Sequence, residues 1–180
     1  MKEFFLTTKR LGFSTWSQDD FAKATELWGS SSVTKFITAN GQMSADDIQK
    51  RLLTEISNYK QHGISYWPIY IKENNELAGC CGLRPYNADE EILELGIHLK
   101  EAYWGKGLAM EACFGVIRHA FDTLQVNALF AGHNPNNDAC AKLLKKLGFC
   151  YTHDEFYPPT GLNHPSYLLT RECFVPHVAP

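Results

Sequence analysis

Hydrophobic and polar positions follow two rhythms along this chain, and the switches between them mark the elements. Residues 66–72 alternate as a strand, and Asn74-Asn75 makes a turn into a second apolar run over residues 77–83. Residues 91–99 and 126–132 predict two more strands. Between them the period lengthens. Leu108, Ala112, Val116 and Ala120, with Ala109, Cys113, Ile117, Phe121 and Leu124, make one stripe, which predicts a long helix with a buried face. A helix is expected over residues 18–28, with Ser17 as N-cap and Asp19 and Asp20 in its first turn. Another opens at Ser44-Ala45-Asp46-Asp47 by a capping pattern and runs to about residue 61, where His62-Gly63 ends it. A short helix over 139–146 follows the 126–132 strand. A first strand over 6–16, and a last antiparallel pair over 150–156 and 166–174 joined by a loop at 157–165, complete the order. No repeat and no linker interrupts it, so residues 1–180 are expected to form a single domain. Mostly antiparallel strands with one βαβ unit near the middle predict an α+β fold.

Composition narrows the classes. The 180 residues suffice for one sizeable core, and 44% hydrophobic with 13% aromatic residues excludes a disordered chain. A net charge of -3 gives no reason to expect nucleic acid or an anionic membrane as partner. No apolar run has the length of a transmembrane helix. The start, Met1-Lys2-Glu3-Phe4-Phe5-Leu6, turns polar at Thr7-Thr8-Lys9-Arg10 and does not read as a signal peptide, so a cytoplasmic location is expected. Cys80, Cys81, Cys113, Cys140, Cys150 and Cys173 form no C-x-x-C pair and have mostly apolar neighbours; they read as reduced, mostly buried thiols. Together with seven histidines they show no paired ligand spacing, so no metal is implied.

The chemistry concentrates at Tyr103-Trp104-Gly105-Lys106-Gly107-Leu108-Ala109, between the 91–99 strand and the long helix. Two glycines one residue apart allow a tight turn that bares amide N–H groups, and the helix start adds its own unpaired N–H groups and positive dipole end. Such a junction suits a phosphate-bearing ligand. It is not a P-loop, because Lys106 lies between the glycines and Leu108 follows Gly107. Nor does it complete a dinucleotide fingerprint, because Met110 stands where the third glycine is needed.

Two stretches then carry a resemblance: Trp104-Gly105-Lys106-Gly107-Leu108-Ala109, and Asn137-Asp138-Ala139-Cys140 through Lys146-Leu147-Gly148-Phe149. Together they resemble the GNAT-superfamily N-acetyltransferases, in particular the branch of the ribosomal-protein N-terminal acetyltransferases. The resemblance is strongest over residues 94–149 and weak before Leu77. It implies a twisted mixed sheet, mostly antiparallel, splayed at its centre and flanked by helices. It also implies acetyl-CoA as cosubstrate and transfer to an amine, either a small molecule or a protein N-terminus, and it leaves a homodimer open. By the same resemblance Gly105, Lys106, Gly107, Leu108 and Ala109 hold the pyrophosphate. Backbone groups of Ile97, His98 and Leu99 meet the pantetheine and the acetyl carbonyl, and Asn137 contacts the cofactor arm.

Acetyl transfer needs an acceptor for the amine proton, a polarised thioester oxygen and a stabilised thiolate. Glu94 is the candidate base, because it interrupts an apolar run and precedes the cofactor strand; the alternative is a salt-bridged or solvent-facing strand carboxylate. Glu90 and Glu91 read as turn charges. By the resemblance, Cys140 stands where many members close to that branch carry Ser, and is either a small residue filling that space or a thiol that donates a hydrogen bond or attacks the thioester. Leu144 replaces the Tyr that serves many members as general acid, which leaves Tyr157 or Tyr167 as other phenols. Trp104 replaces an Arg or Gln of the loop, a loss Lys106 could offset. A non-catalytic acyl-CoA-binding module is the alternative to an enzyme. Trp28, Phe36, Tyr59, Tyr66, Trp67, Tyr86, Tyr157 and His164 are candidates to wall the acceptor channel or simply to pack. Asp89-Glu90-Glu91 is a weak attractor for a cation or a solvated turn.

Overall fold

Local signals place most of the helices. In the computed structural model, which describes residues 3–174, Ser44 and Asp47 form a reciprocal cap. The Ser44 N–H and hydroxyl donate to the Asp47 carboxylate (3.0 and 2.6 Å), and the Asp47 N–H donates back to Ser44 Oγ (3.2 Å). That cap starts α3 (Ala45–His62), which follows α1 (Phe21–Trp28) and α2 (Ser31–Thr34). The expected 18–28 helix begins instead as a 3-10 turn, Gln18–Asp20, in which the Ser17 N–H and hydroxyl both reach Asp20 (2.9 and 2.8 Å). α4 (Leu108–Arg118) carries the predicted stripe, with Ala112, Val116 and Ile117 fully buried. Burying Val116 and Ile117 stabilises the fold by about 1.5–3 kcal/mol each. The helix then widens to a π-type turn, His119–Thr123, where the Leu124 N–H reaches His119 O (3.1 Å), and Leu124 itself is exposed. α5 (Asp138–Lys146) follows the strand predicted over 126–132.

Eight strands share one sheet: β1 (Leu6–Thr7), β2 (Leu11–Phe13), β3 (Tyr66–Ile71), β4 (Leu77–Asn87), β5 (Ile92–Leu99), β6 (Ala128–Gly132), β7 (Cys150–Tyr157) and β8 (Leu162–Thr170). Their order is β1-β2-β3-β4-β5-β6-β8-β7, and every pair is antiparallel except β5 with β6. The single strand expected over 6–16 is a hairpin, with Leu6 opposite Phe13. Thr8 bends it: its N–H donates to Leu11 O (2.9 Å) and its hydroxyl accepts the Leu11 N–H (3.2 Å). The loop expected over 157–165 is mostly strand, because β7 and β8 stay paired out to Tyr157 and Leu162. Residues 171–174, expected as strand, turn back instead, with the Cys173 N–H on Thr170 O (3.1 Å).

Cores form on both faces of the sheet. α4 and α5 cover one face, and their Leu108, Val116, Ile117 and Leu144 pack with Leu11, Leu83, Leu95 and Leu129. α1 and α3 cover β3 and β4 on the other, with Trp28, Leu52, Tyr66, Tyr70 and Cys80 together. Of the cysteines, Cys80, Cys81 and Cys113 are buried as expected and Cys140 is half-buried, but Cys150 and Cys173 reach the surface. Among the described residues no helix is long and apolar enough to cross a membrane.

Candidate active site

β5 and β6 run side by side for three residue pairs only: Ile92–Ala128, Leu93–Leu129 and Glu94–Phe130. Beyond Glu94 the strands part, while β5 stays paired with β4 as far as Leu99. Bare backbone amides inside a protein are costly, so an opened strand edge suits a ligand that carries amides of its own. Ile97, His98 and Leu99 lie on that opened stretch. Ile97 and Leu99 turn their side chains to the α4 core. Glu94, Gly96 and His98 point to the opposite layer, by the two-residue alternation of a strand.

At the far end of β5 the chain enters the glycine loop. Gly105 and Gly107 have φ of +70° and +74°. The left-handed region costs other residues about 1–2 kcal/mol, which explains glycine at the α4 N-cap, Gly107. The amides of Gly105, Lys106 and Gly107 have no hydrogen-bond acceptor among the described residues, and the first turn of α4 adds further unpaired N–H groups. Leu108 is buried and Ala109 packs against the same core, so helix packing aims those amides. The Lys106 ammonium rests 5.5 Å from the Tyr103 ring centroid. At α5, Asn137 is the N-cap, and its side-chain oxygen accepts the Cys140 N–H (3.2 Å). Burial pushes the Cys140 thiol up to about 12, so it is a neutral thiol at pH 7. Leu144 is buried in the core.

Glu94 stands opposite Arg84 on β4, in a polar cluster on the α3 face. The fully buried Glu55 anchors that cluster. It accepts from Arg51 Nε (2.8 Å), Arg84 Nη2, Ser65 Oγ (3.1 Å) and the Tyr66 N–H (2.9 Å). The Arg84 guanidinium lies 4.3 Å from the Tyr66 ring centroid. The Tyr66 ring fills the space over Gly96, where a Cβ would come within 2.1 Å of its hydroxyl. Burial raises the Glu94 carboxyl above its ordinary range, and the opposing influence of Arg84, the Tyr66 hydroxyl and Arg51 does not cancel it. Burial also drives His98 well below its ordinary value, helped by Arg51 and Arg84. Its Nδ1 accepts the Trp28 indole N–H (3.1 Å), the bond of a neutral ring. Such a site can take up a proton beside an opened strand.

Sequence reasoning missed Arg51, Glu55 and Arg84. Glu55 was detectable, since it continues the buried spacing of Ile48 and Leu52 on α3. The pairing of Arg84 with Glu94 depends on register between strands and leaves no local trace. Of the aromatic candidates, Phe36 lines a cleft of about 270 Å³ with Lys35, Thr38, Asn134, Asn136 and Thr160. Trp28, Tyr66 and Trp67 are buried, and Tyr59 and Tyr86 are exposed, Tyr86 stacking 3.9 Å from Phe130. His164 bonds Thr160 (2.8 Å) and lies beside Tyr157, while the Tyr167 hydroxyl sits 3.3 Å from His133. Glu91 occupies a turn at φ +55° and accepts from Asn127 (3.0 Å).

Comparison with known proteins shows the family and the fold. The chain is 30% identical over 146 residues to an uncharacterized N-acetyltransferase, p20, of Bacillus licheniformis, covering 80% of this chain and 81% of that one. Its fold is shared by a putative ribosomal-protein-serine acetyltransferase from Vibrio cholerae, with a TM-score of 0.76 and 15% identity over 93% of this chain and 98% of that one. It is shared too by spermidine N-acetyltransferase from Vibrio cholerae, solved with CoA and spermine, with a TM-score of 0.75 and 14% identity over 91% of this chain and 97% of that one. A sequence model of the acetyltransferase (GNAT) domain matches residues 10–150, and the chain belongs to that family of N-acetyltransferases.

Proposed function

We propose that this protein transfers the acetyl group of acetyl-CoA to a primary amine by direct attack in a ternary complex. The amides of Gly105, Lys106 and Gly107, with those of Leu108 and Ala109 in the first helical turn, bind the pyrophosphate. The backbone of Ile97, His98 and Leu99 pairs with the pantetheine amides and orients the acetyl carbonyl, and Asn137 meets the arm from the start of α5. Glu94 takes the amine proton as nitrogen attacks the thioester carbon. The C–S bond then breaks, and a coenzyme A thiolate leaves. The neutral Cys140 thiol is suited to donate a hydrogen bond at the α5 end, not to attack. One observation carries the proposal: β5 and β6 part beyond a half-buried carboxylate, on the strand that leads into a loop of unpaired amides.

The acceptor is a protein N-terminal α-amine or a small amine. The 270 Å³ cleft spans the loop after α2, the loop after β6 and the β7–β8 turn, and Lys35 is the charged side chain in its lining. A cleft with a cation and no carboxylate favours the α-amine of a peptide, as in the ribosomal-protein branch, over a polycation. Reduced thiols fit a cytoplasmic setting.

Thiol release from acetyl-CoA, followed over a panel of peptides and small amines, tests the proposal. Turnover is expected with at least one acceptor. Glu94→Gln should depress kcat with little loss of coenzyme A affinity, and should remove the acidic limb of the rate profile. Binding without turnover on any acceptor would favour a non-catalytic module. An adduct on Cys140 in intact-mass spectra would point to an acyl-enzyme instead.

A further inference from the structure

The tip of the β1–β2 hairpin is fastened to the glycine loop through one side chain. The Arg10 backbone N–H and the Thr8 hydroxyl both donate to Glu111 Oε1 (2.6 Å each), and Arg10 Nε donates to Glu111 Oε2 (2.7 Å). Arg10 Nη1 donates to Lys106 O (2.9 Å), and Nη2 lies 3.6 Å from where a Cβ on Gly107 would sit. A guanidinium has five N–H bonds in a planar fork. Two are engaged here, and the rest of the group is nearly half exposed beside the loop amides.

The local charge balance leaves this group a task. Glu111 sits in the first turn of α4, where a carboxylate would repel a diphosphate. Burial opposes its charge, yet the bonds from Thr8 and Arg10 hold its carboxyl below the ordinary range, so it stays ionised. Trp104 brings no charge, and its indole N–H is committed to Leu99 O (2.9 Å). Lys106 lies over Tyr103. Arg10 is therefore the cation held in place against the loop.

We propose that Arg10 is a ligand of the coenzyme A diphosphate, with Glu111 as the residue that positions it. This rests on the coenzyme A reading above. In free protein Glu111 and Lys106 O orient the fork; in the complex the outer N–H groups of Arg10 meet phosphate oxygens while Nε stays on Glu111. Charge-assisted forks of this kind give both affinity and geometry.

Calorimetry with coenzyme A, dephospho-coenzyme A and pantetheine, on wild type, Arg10→Gln and Arg10→Lys, tests this. Arg10→Gln should weaken coenzyme A and dephospho-coenzyme A alike by ~10-fold, with a shallower salt dependence, and leave pantetheine unchanged. Arg10→Lys keeps the charge but not the fork and should fall between, which also serves if the Gln variant does not fold. Unchanged coenzyme A affinity with a lowered Tm would overturn the proposal and make Arg10 a structural pin. A loss seen with coenzyme A but not with dephospho-coenzyme A would overturn it too, assigning Arg10 to the 3′-phosphate. Failure of the wild type to bind any of the three would instead sink the coenzyme A reading itself.

Discussion

Gly96→Ala is the sharpest mechanical test of the site. A Cβ at position 96 would lie 2.1 Å from both Cζ and Oη of Tyr66 and 2.4 Å from Cε2. Carbon contacts are comfortable near 3.5 Å, so the ring must retreat by about 1.4 Å. It has little room. Tyr66 is 4% exposed, its N–H is tied to Glu55 (2.9 Å), and Arg84 lies 4.3 Å from its ring centroid. Overpacking a tight core costs about 1–3 kcal/mol, and pinned atoms on a rigid ring put this case near the upper figure. For a chain of this size that lowers Tm by about 6–12 °C. The Tyr66 hydroxyl adjoins Glu94, so kcat should drop as well, by ~10–100-fold for a displacement of this order. Coenzyme A affinity should hold, since the glycine loop is built from other contacts. Thermal unfolding monitored by circular dichroism, with turnover on the best acceptor, reads both effects. A Tm within about 1 °C of wild type, or full turnover in a destabilised variant, would refute the claim that the ring is fixed against Gly96 and serves the carboxylate.

Other perturbations reach different parts of the structure. Glu55→Gln leaves two guanidiniums without their buried counter-charge and should cost about 3–5 kcal/mol in urea unfolding; a loss under about 1 kcal/mol would mean water already screens that cluster. Gly107→Val places a β-branched residue at φ +74°, with an expected cost of about 1–3 kcal/mol and weaker coenzyme A binding by calorimetry; wild-type affinity in this variant would remove the amide loop from the site. His98 is neutral in the folded protein, with its folded value depressed, whereas the unfolded chain protonates it below about pH 6.5. Its contribution is therefore complete above that pH and is lost as pH falls toward the folded value, by up to about 1.4 kcal/mol per unit. His119 and His164 shift the same way, so His98→Gln should flatten the acid side of the Tm profile without abolishing its slope; an unaltered slope would show that His98 is already protonated when folded.

What the sequence discloses and what it hides divides along the range of the interactions. The cap at Ser44, the α4 stripe and the β5 run depend on neighbours within a few residues, and all are legible. Glu94 is legible as a lone carboxylate in an apolar run. The hairpin at Thr8 is not, because the carboxylate that captures its tip, Glu111, lies a hundred positions away and meets it through folding. The same holds for the electrostatics of the proposed base. Glu94 faces Arg84 across the strands, and a carboxylate beside a guanidinium ordinarily ionises more easily. Here the shift runs the other way, because burial outweighs the guanidiniums, and Glu55 helps to keep their influence small. It takes both Arg51 and Arg84 in direct contact, while among the described residues no ion pair engages Glu94. The two guanidiniums thus reach Glu94 only as a field, weaker than the desolvation it opposes, and Glu55 adds its own negative charge to the upward push. Burial thus raises the proposed base above the usual carboxylate range, and a second carboxylate, on α3, keeps the guanidiniums from undoing that rise. It follows that Glu55→Gln, wherever it still folds, should move the acidic limb of kcat to lower pH, because Arg84 is then free to pair with Glu94. A limb that stays in place would show that burial alone sets the base.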